Sequence, residues 1–411
     1  MVKAFSASLS ERMGRVKESV TIKLNALANE LKQKGVDVIN LTAGEPDFSA
    51  PEPAKKAVIE AVNQNLSHYT PAPGVMPLRD AVAAKTNRQQ PDLSEPWTGK
   101  NVVVTNGAKH ALYNSFLAIL NPEDEVIIPA PYWLSYPEMV KLCDGTPVVV
   151  ETKFEDQFKL TSEWLESMIT DRSRAVILNS PGNPTGSVYG KEDFEALAKV
   201  VRKHPNLWVV SDEIYDRISF EDSGFVSFLS VAPDLQDRVI TINGLSKSGA
   251  MTGWRLGWAV GRGDLIAAMS KLQGQTTSNV NVLAQEAAIA ALKMPESEFQ
   301  SQIEAYKKRK DLALAILRKN GKLEIGVPKG AFYLFVGIGA FCAAGEDSVG
   351  FAERLLEEKK VTVVPGTPFG APKFVRISFA TDERSLQRGC ERIIEFLEGH
   401  EGDTKHDSTT E

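Results

Sequence analysis

The sequence has few of the residues that disulfide-stabilised or metal-dependent proteins require. Its 411 residues include three cysteines, at positions 143, 342 and 390, and five histidines. The cysteines are far apart and form no CxxC pair, which excludes a disulfide framework and favours a reducing cytoplasm. The histidines form no HExxH pair and no GxSxG motif occurs, so the sequence indicates neither a catalytic metal nor a Ser-His-Asp triad.

Long runs of basic or apolar residues are also absent. The net charge is −6, and lysine and arginine form no long basic run, so we expect no nucleic-acid partner. No apolar run approaches the roughly 18 residues of a membrane span. The N-terminal stretch MVKAFSASLSERMGRV lacks the apolar block of a signal peptide. These absences predict a cytoplasmic protein without a membrane partner.

Apolar runs alternate with helical stretches from about residue 100 to about residue 285. The runs are rich in valine and isoleucine, as expected for strands that are buried on both faces. Strands that alternate with helices predict an α/β fold with a largely parallel sheet covered by helices. The strand-like runs are NVVVT, EVIIP, TPVVVE, RAVILN, LWVVSD and RVITING.

Shorter patterns flank this block. Before it, residues 24–34 and 54–64 have the periodicity of helices, and VDVINL that of a strand. After it, a charged amphipathic stretch at 297–321 predicts a long helix that suits a connection between two domains. The strands GAFYLFVGI, VTVVPG and KFVRISFA and the helix SLQRGCERIIEFLEG follow. The polar residues from 399 onward predict a disordered tail.

Polar side chains follow five of the predicted strands. In open α/β sheets, ligands bind beyond the carboxyl ends of the strands. Taken singly, PGNPTG suits a simple turn, Asp212 a helix N-cap, Trp133 a core position and Lys247 a solvated lysine. Their recurrence at one topological position favours a shared ligand site. The residues are Asn106 to Lys109, Tyr132 with Trp133, Asn183, Asp212 with Tyr215, and Lys247.

The segment NGLSKSGAMTGWRLGW, residues 243–258, carries two cations among four glycines. Lys247 lies between two serines, and Arg255 follows eight positions later. Glycine lets the backbone approach a neighbour closely, and the two cations indicate that this neighbour is negatively charged. The segment alone therefore predicts a phosphate site.

Together these residues resemble the pyridoxal-phosphate enzymes of the aspartate aminotransferase family. The similar segments run in family order from about Ser10 to about Leu397, and the resemblance is closest to a bacterial subgroup that includes aspartate/prephenate aminotransferases. The lysine motif matches at Gly244, Ser246, Lys247, Ala250, Gly253, Arg255 and Gly257. The other segments are LTAGEPDF, YTPAPGVMPLR, NGAKHALYN, PAPYWLSYPEM, NSPGNPTGSVY, SDEIYD, GAFY and VRISFA.

The resemblance implies a fold-type I enzyme. Its large domain would hold a mostly parallel seven-stranded sheet covered by helices, and a smaller α/β domain would form from both termini. Residues 1–48 would be the N-terminal segment with part of the small domain, 49–290 the large cofactor-binding domain and 291–398 the C-terminal small domain. Tyr69 resembles a tyrosine that reaches the phosphate from a neighbouring subunit, which implies a homodimer with shared active sites.

The resemblance assigns Lys247 to the Schiff base with the cofactor aldehyde and to the general base that removes the substrate Cα proton. Asp212 would hold the protonated pyridine nitrogen, while Asn183 and Tyr215 would hydrogen-bond the phenolate oxygen. Trp133 would lie near the cofactor ring and the substrate. The phosphate would bind at Gly107 and Ala108, next to Lys109, and at Ser246 and Arg255.

The implied reaction converts L-aspartate and 2-oxoglutarate to oxaloacetate and L-glutamate. Arg376 would bind the substrate α-carboxylate, with the Gly44 backbone near the same group. Some family branches use an arginine for the second carboxylate, but the matching segment QTTSNVNVLAQ has none, so Lys109 is the candidate. Lys17, with Thr21 nearby, matches a lysine in the first segment of those members that use prephenate. The resemblance therefore leaves open an additional activity, the formation of arogenate from prephenate.

Other reactions on the same fold are the alternative. They include aminotransferases for aromatic amino acids or alanine, and β-lyases or synthases that act on a sulfonium substrate. A cofactor-binding regulator would need an added DNA-binding domain, for which neither terminus has room or basic charge. The expected partners are therefore small amino acids and 2-oxo acids.

Overall fold

The computed structural model describes residues 9–16 and 20–400. The α-helices are α1 Val20–Gln33, α2 Glu52–Asn63, α3 Met76–Gln89, α4 Ala108–Ile119, α5 Ser135–Leu142, α6 Ser162–Met168, α7 Lys191–Lys203, α8 Phe228–Val231, α9 Gly263–Thr276, α10 Val282–Leu292, α11 Gln300–Leu317, α12 Ser348–Lys359 and α13 Glu383–Gly399. The strands are β1 Ile39–Asn40, β2 Val102–Thr105, β3 Glu125–Ala130, β4 Thr146–Glu151, β5 Ser173–Asn179, β6 Trp208–Asp212, β7 Val239–Gly244, β8 Gly257–Val260, β9 Glu324–Ile325, β10 Tyr333–Gly337, β11 Val361–Thr362, β12 Val364–Pro365 and β13 Phe374–Ser378.

The larger sheet has seven strands in the order β2-β8-β7-β6-β5-β3-β4. The neighbouring pairs from β7 to β4 are parallel, whereas β8 is antiparallel to both β2 and β7. The predicted mostly parallel, seven-stranded sheet is therefore confirmed. The sequence pattern did not predict β8, because four residues after a glycine-rich segment give too short an apolar run.

Successive residues of the central strands face two separate cores on opposite sides of this sheet. Val102 and Val104 pack with side chains of α3 and α10, such as Leu78. Val103, between them, packs with side chains of α4 and α9, such as Phe116. Because side chains alternate between the faces of a strand, a continuous run of buried valines requires helices on both sides. This requirement explains why the predicted strands show no polar alternation.

Strands from both ends of the chain form the smaller part of the structure. β1 pairs in parallel with β11, and a four-stranded antiparallel sheet has the order β12-β13-β10-β9. Leu41, which follows β1, shares one core with Ile377 of β13 and Leu386 of α13. The N-terminal strand therefore packs with the C-terminal part of the chain.

The charged helix α11 lies between these parts in sequence and packs against α13. The sequence predicted one helix over 297–321, and the structure begins it with a 3₁₀ turn at Glu296–Phe299 and ends the α-helix at Leu317. Arg309 of this helix bonds Asp47 at 2.8 Å, which ties α11 to the loop after β1. Among the helices that the structure describes, none has both the length and the apolarity needed to cross a bilayer.

The C-terminal helix extends slightly further than the sequence indicated. α13 continues through Gly399, and His400 Nδ1 lies 2.8 Å from the Phe396 carbonyl oxygen. The expected disorder from residue 399 is therefore wrong for these two residues, because the polar helix end remains hydrogen-bonded. Residues 401–411, which make up the rest of that tail, lie outside the described part of the chain.

Candidate active site

The carboxyl ends of β2, β3, β5, β6 and β7 lie at one edge of the larger sheet. β3, β5, β6 and β7 are parallel to one another, and β2 runs the same way because β8 is antiparallel to both β2 and β7. These are the five strands that the predicted polar residues follow. The expected convergence of those residues is thus a consequence of the observed topology.

The start of α4 and the Arg255 guanidinium form a cradle that suits an anion. Gly107 caps α4 with φ +85°, which glycine adopts without strain. A Cβ atom at Gly107 would lie 2.6 Å from Arg255 Nη2, so the helix start and the guanidinium are in direct contact. The carbonyls of Thr252 and Asn106 accept hydrogen bonds from Arg255 at 2.8 and 3.3 Å. Because the first amides of a helix lack helical acceptors and carry its positive dipole end, this cradle fits a phosphate.

Glycines of the Lys247 segment pack closely against protein atoms. A Cβ atom on Gly257 would overlap the amide nitrogen of Ala108 at the start of α4, and one on Gly244 would lie 2.9 Å from the Leu256 carbonyl oxygen. The glycines therefore bring β7, β8 and α4 together around the cradle. Ser246, which the sequence placed at the phosphate, is 8% exposed and lies just after β7.

The buried Asp212 carboxylate lies at the end of β6 and is held by two donors. The Tyr136 hydroxyl donates to Asp212 Oδ2 at 2.6 Å, and the Ile214 amide donates to Oδ1 at 3.3 Å. Burial raises the pKa of Asp212 to about 6, and the bond from Tyr136 opposes that rise. No helix begins at Asp212, since the chain forms a turn after β6, so the helix N-cap interpretation is wrong.

The Lys247 amine lies between the loop after β1 and the residues after β6. It donates a hydrogen bond to the Gly44 carbonyl and lies 6.0 Å from the ring centre of Tyr215. Burial lowers the pKa of the Lys247 ammonium to about 8, and the cations Arg376 and Arg255 act in the same direction. Such a lysine is partly neutral at mildly alkaline pH, which suits a nucleophile or a base. The interpretation as a solvated surface lysine is therefore wrong.

Arg376 of β13 reaches the same region from the smaller part of the structure. Its Nη1 donates to Asn183 Oδ1 at 3.0 Å, and its Nη2 donates to the Thr42 carbonyl at 2.9 Å. The residue is 4% exposed, yet Arg376 Nε has no hydrogen-bond partner among the described residues. A buried guanidinium nitrogen without an acceptor is costly unless a ligand supplies one. The geometry therefore favours an anionic ligand at Arg376.

Lys109 and Trp133 meet at the mouth of the site. Lys109 Nζ lies 4.8 Å from the centre of the Trp133 ring, and Trp133 packs edge-to-face on Tyr136 at 5.4 Å. Burial lowers the pKa of Lys109, and the nearby Arg255 acts in the same direction. Trp133 is half-buried and lines a cleft with Asn183, so the interpretation as an ordinary core residue is incomplete.

The remaining predictions have different outcomes. Tyr69 is 91% exposed, so it points away from the protein interior. Lys17 and the side chain of Thr21 lie outside the described residues. The sequence assigned no role to Tyr136 or to Tyr333, although both lie in segments that carried the resemblance. Their roles depend on contacts between distant parts of the chain, which a single sequence does not display.

Comparison with known proteins identifies the family. The family model for aminotransferase class I and II matches residues 36–393. The probable aspartate/prephenate aminotransferase of Rickettsia felis is 44% identical over 392 residues, which cover 94% of this chain and 95% of that protein. The aspartate/prephenate aminotransferase of Cereibacter sphaeroides is 43% identical over 400 residues, which cover 96% and 99%. The structure of the Thermus thermophilus aspartate aminotransferase with maleate matches with a TM-score of 0.89 at 42% identity, covering 95% and 99%. The chain belongs to the aminotransferase class I and II family.

Proposed function

We propose that the protein is a pyridoxal-phosphate-dependent aminotransferase that converts L-aspartate and 2-oxoglutarate to oxaloacetate and L-glutamate. The observation that carries the proposal is one site that contains the Lys247 amine of lowered pKa, the buried Asp212 carboxylate and the incompletely bonded Arg376 guanidinium. The aspartate/prephenate aminotransferases of Rickettsia felis and Cereibacter sphaeroides support the choice of substrate. When bound, the cofactor supplies an aldehyde for an amine and a ring that accepts electrons.

The cradle at the start of α4 fits the cofactor phosphate. The amides of Ala108 and its neighbours would donate to it, and Arg255 would add charged donors. Ser246 would contribute a hydroxyl, in keeping with its buried position after β7. The contact between Gly107 and Arg255 leaves no room for a larger residue at position 107, so glycine there keeps the guanidinium next to the start of α4.

The residues at the ends of β5 and β6 fit the cofactor ring. Asp212 would pair with the protonated ring nitrogen, and the bond from Tyr136 favours the ionised carboxylate that this pairing needs. Tyr215 and Asn183 would donate to the ring oxygen. The Asn183 carbonyl oxygen already accepts from Arg376, so its amide nitrogen is the group directed toward a second partner.

Lys247 would move the reacting proton. Because its pKa is about 8, the amine accepts a proton near neutral pH without holding it too tightly to release it again. The Gly44 carbonyl accepts a hydrogen bond from this amine and so fixes its direction. Asp212 lowers the cost of positive charge in the same region.

Arg376 and Lys109 would bind the two carboxylates of a dicarboxylic substrate. Arg376 Nε would find its missing acceptor in the α-carboxylate. Lys109, held over Trp133, would meet the second carboxylate. The Thermus aspartate aminotransferase is known with maleate, which also carries two carboxylates. A lysine is a point charge that imposes less geometry than an arginine, so this end of the site suits acids of several lengths.

Use of prephenate is part of the proposal through the relatives named aspartate/prephenate aminotransferases. Because Lys109 suits acids of several lengths, it is consistent with this larger acid, and the assignment of Lys17 stays a prediction.

We further propose a cytoplasmic homodimer in which the exposed Tyr69 reaches the partner's phosphate. The division at residues 48, 290 and 398 belongs to the same proposal. Substrate held by Arg376 on one side and Lys247 on the other would draw the two domains together and exclude water.

A half-reaction with aspartate alone tests the proposal. The holoenzyme should convert the bound cofactor from its aldehyde to its amine form and release one equivalent of oxaloacetate, which absorbance follows. A β-lyase would leave the cofactor in the aldehyde form. Lys247→Ala should lose the covalently bound chromophore and the reaction, while Lys100→Ala, an exposed lysine, should retain both. Normal conversion by the Lys247 variant would overturn the proposal.

A further inference from the structure

A tyrosine without an assigned role connects the two halves of the candidate site. Tyr333 of β10 is fully buried and lies opposite Ser378 of β13. Arg376 is two residues before Ser378, so the side chains of Arg376 and Tyr333 project from the same face of the sheet. The two residues are diagonal neighbours on that face. An aromatic ring and a long side chain reach each other across such a diagonal. The strand register therefore fixes Tyr333 beneath the guanidinium.

Tyr333 contacts both sides of the site. The Arg376 Cζ atom lies 4.3 Å from the centre of the Tyr333 ring. At the other end, the Tyr333 hydroxyl lies 2.9 Å from the Tyr215 hydroxyl. Phe332 packs against the Tyr333 ring with a centroid distance of 4.7 Å, which holds the ring in place. One rigid side chain therefore joins the residue proposed for the ring oxygen to the residue proposed for the α-carboxylate.

We propose that Tyr333 is a positioning residue that donates its hydroxyl proton to Tyr215 and supports Arg376 with its ring. This inference rests on the proposed function, because it assigns the two ends of Tyr333 to the cofactor side and the substrate side. Tyr215 has a single proton. If Tyr333 donates to the Tyr215 oxygen, that proton is left for the cofactor oxygen, and the donated bond makes Tyr215 a stronger donor.

The two ends of Tyr333 have separate consequences. The hydroxyl acts on Tyr215 and therefore on the protonation of the bound chromophore. The ring acts on Arg376, since an aromatic face stabilises a desolvated guanidinium and limits its movement. Tyr333→Phe removes the first effect and keeps the second, whereas Tyr333→Leu removes both.

A spectrophotometric pH titration of the bound cofactor tests the hydroxyl. In Tyr333→Phe we expect the pKa of the chromophore to rise by about 0.2–0.5 units, since Tyr215 becomes a weaker donor to the deprotonated form. Tyr215→Phe should cause a larger rise, and the double variant should match Tyr215→Phe alone. Tyr306→Phe is the matched control, because the buried Tyr306 hydroxyl has no hydrogen-bond partner among the described residues and its ring packs on the same Phe332.

Affinity for an unreactive dicarboxylate such as maleate tests the ring. Tyr333→Phe should bind it within about twofold of wild type, and Tyr333→Leu should bind it roughly three- to tenfold more weakly. An unshifted or lowered chromophore pKa in Tyr333→Phe would overturn the donor assignment even if Tyr333→Leu did not fold. If the wild-type protein showed no lysine-bound chromophore, the proposed function itself would fail. If the wild-type chromophore titrated normally and Tyr333→Phe had the same chromophore pKa, only the role of Tyr333 would be overturned and the proposed function would stand.

Discussion

The Tyr136 hydroxyl donates a 2.6 Å hydrogen bond to Asp212 Oδ2 inside the protein, and both residues are nearly inaccessible to solvent. Burial raises the pKa of Asp212 to about 6, while the bond from Tyr136 lowers it. In the proposed function, ionised Asp212 is the form that would pair with a protonated ring nitrogen. Tyr136 would therefore set the pH range in which Asp212 binds the cofactor.

Tyr136→Phe should weaken cofactor binding more at low pH than at high pH. Without the hydroxyl, the pKa of Asp212 rises further, and a hydrogen bond to a charged group is worth about 1.5–3 kcal/mol. At pH 6 we expect an affinity roughly tenfold below wild type, and at pH 8.5 a much smaller difference. Fluorescence titration of the cofactor-free protein with pyridoxal phosphate at both pH values measures this. An equal loss at both would contradict the assigned role of Tyr136.

Arg376 and Lys109 should differ in which substrates they affect. Arg376→Ala should lower kcat/KM by about a hundredfold or more for every amino acid, because it would remove the charged hydrogen bonds proposed for the α-carboxylate that all of them carry. Lys109→Ala should lower kcat/KM about tenfold for aspartate and leave alanine nearly unchanged. Steady-state kinetics with both substrates decides the point. Equal losses for alanine and aspartate in Lys109→Ala would show that this lysine serves the cofactor instead.

The part of the site that follows parallel strands could be predicted from sequence. Asn183, Asp212 and Lys247 each come after a short apolar run, and the carboxyl ends of parallel strands meet at one edge. The position of each residue therefore follows from local pattern plus one topological rule. The same reasoning gave six of the seven strands and the helices that cover the sheet, whereas the number seven was implied by the family resemblance.

Other parts of the structure depend on long-range pairing that local patterns do not encode. β8 takes its place and direction from β2 and β7, which lie on either side of it in the sheet, and its own four residues carry little signal. Tyr136 meets Asp212 across 76 positions of sequence. Tyr333 reaches Tyr215 only because of the β10–β13 register and the packing of the two parts of the chain. Such contacts require the folded structure.

Glu213, next to Asp212, is a buried acid that should reduce stability as the pH rises. Ser211 and Ser227 donate to Glu213 Oε1 at 2.9 and 2.8 Å. Burial nevertheless raises the pKa of Glu213 to about 7, and nearby Asp216 also raises it. The folded state thus disfavours the charged form. Protonated Glu213 therefore favours the folded state, and its contribution to the free energy of unfolding is complete below the unfolded-state pKa. That contribution is lost as the pH rises through the folded-state pKa.

Glu213→Gln should therefore stabilise the cofactor-free protein at pH 8 and have little effect at pH 5. The glutamine keeps an oxygen that accepts from both serines but never becomes charged. We expect its advantage in the free energy of unfolding to grow by about 2 kcal/mol between pH 5 and pH 8. Urea denaturation at the two pH values measures this difference, with Glu298→Gln as an exposed control. A variant that is destabilised at pH 8 would show instead that the charged Glu213 carboxylate stabilises the fold despite its burial.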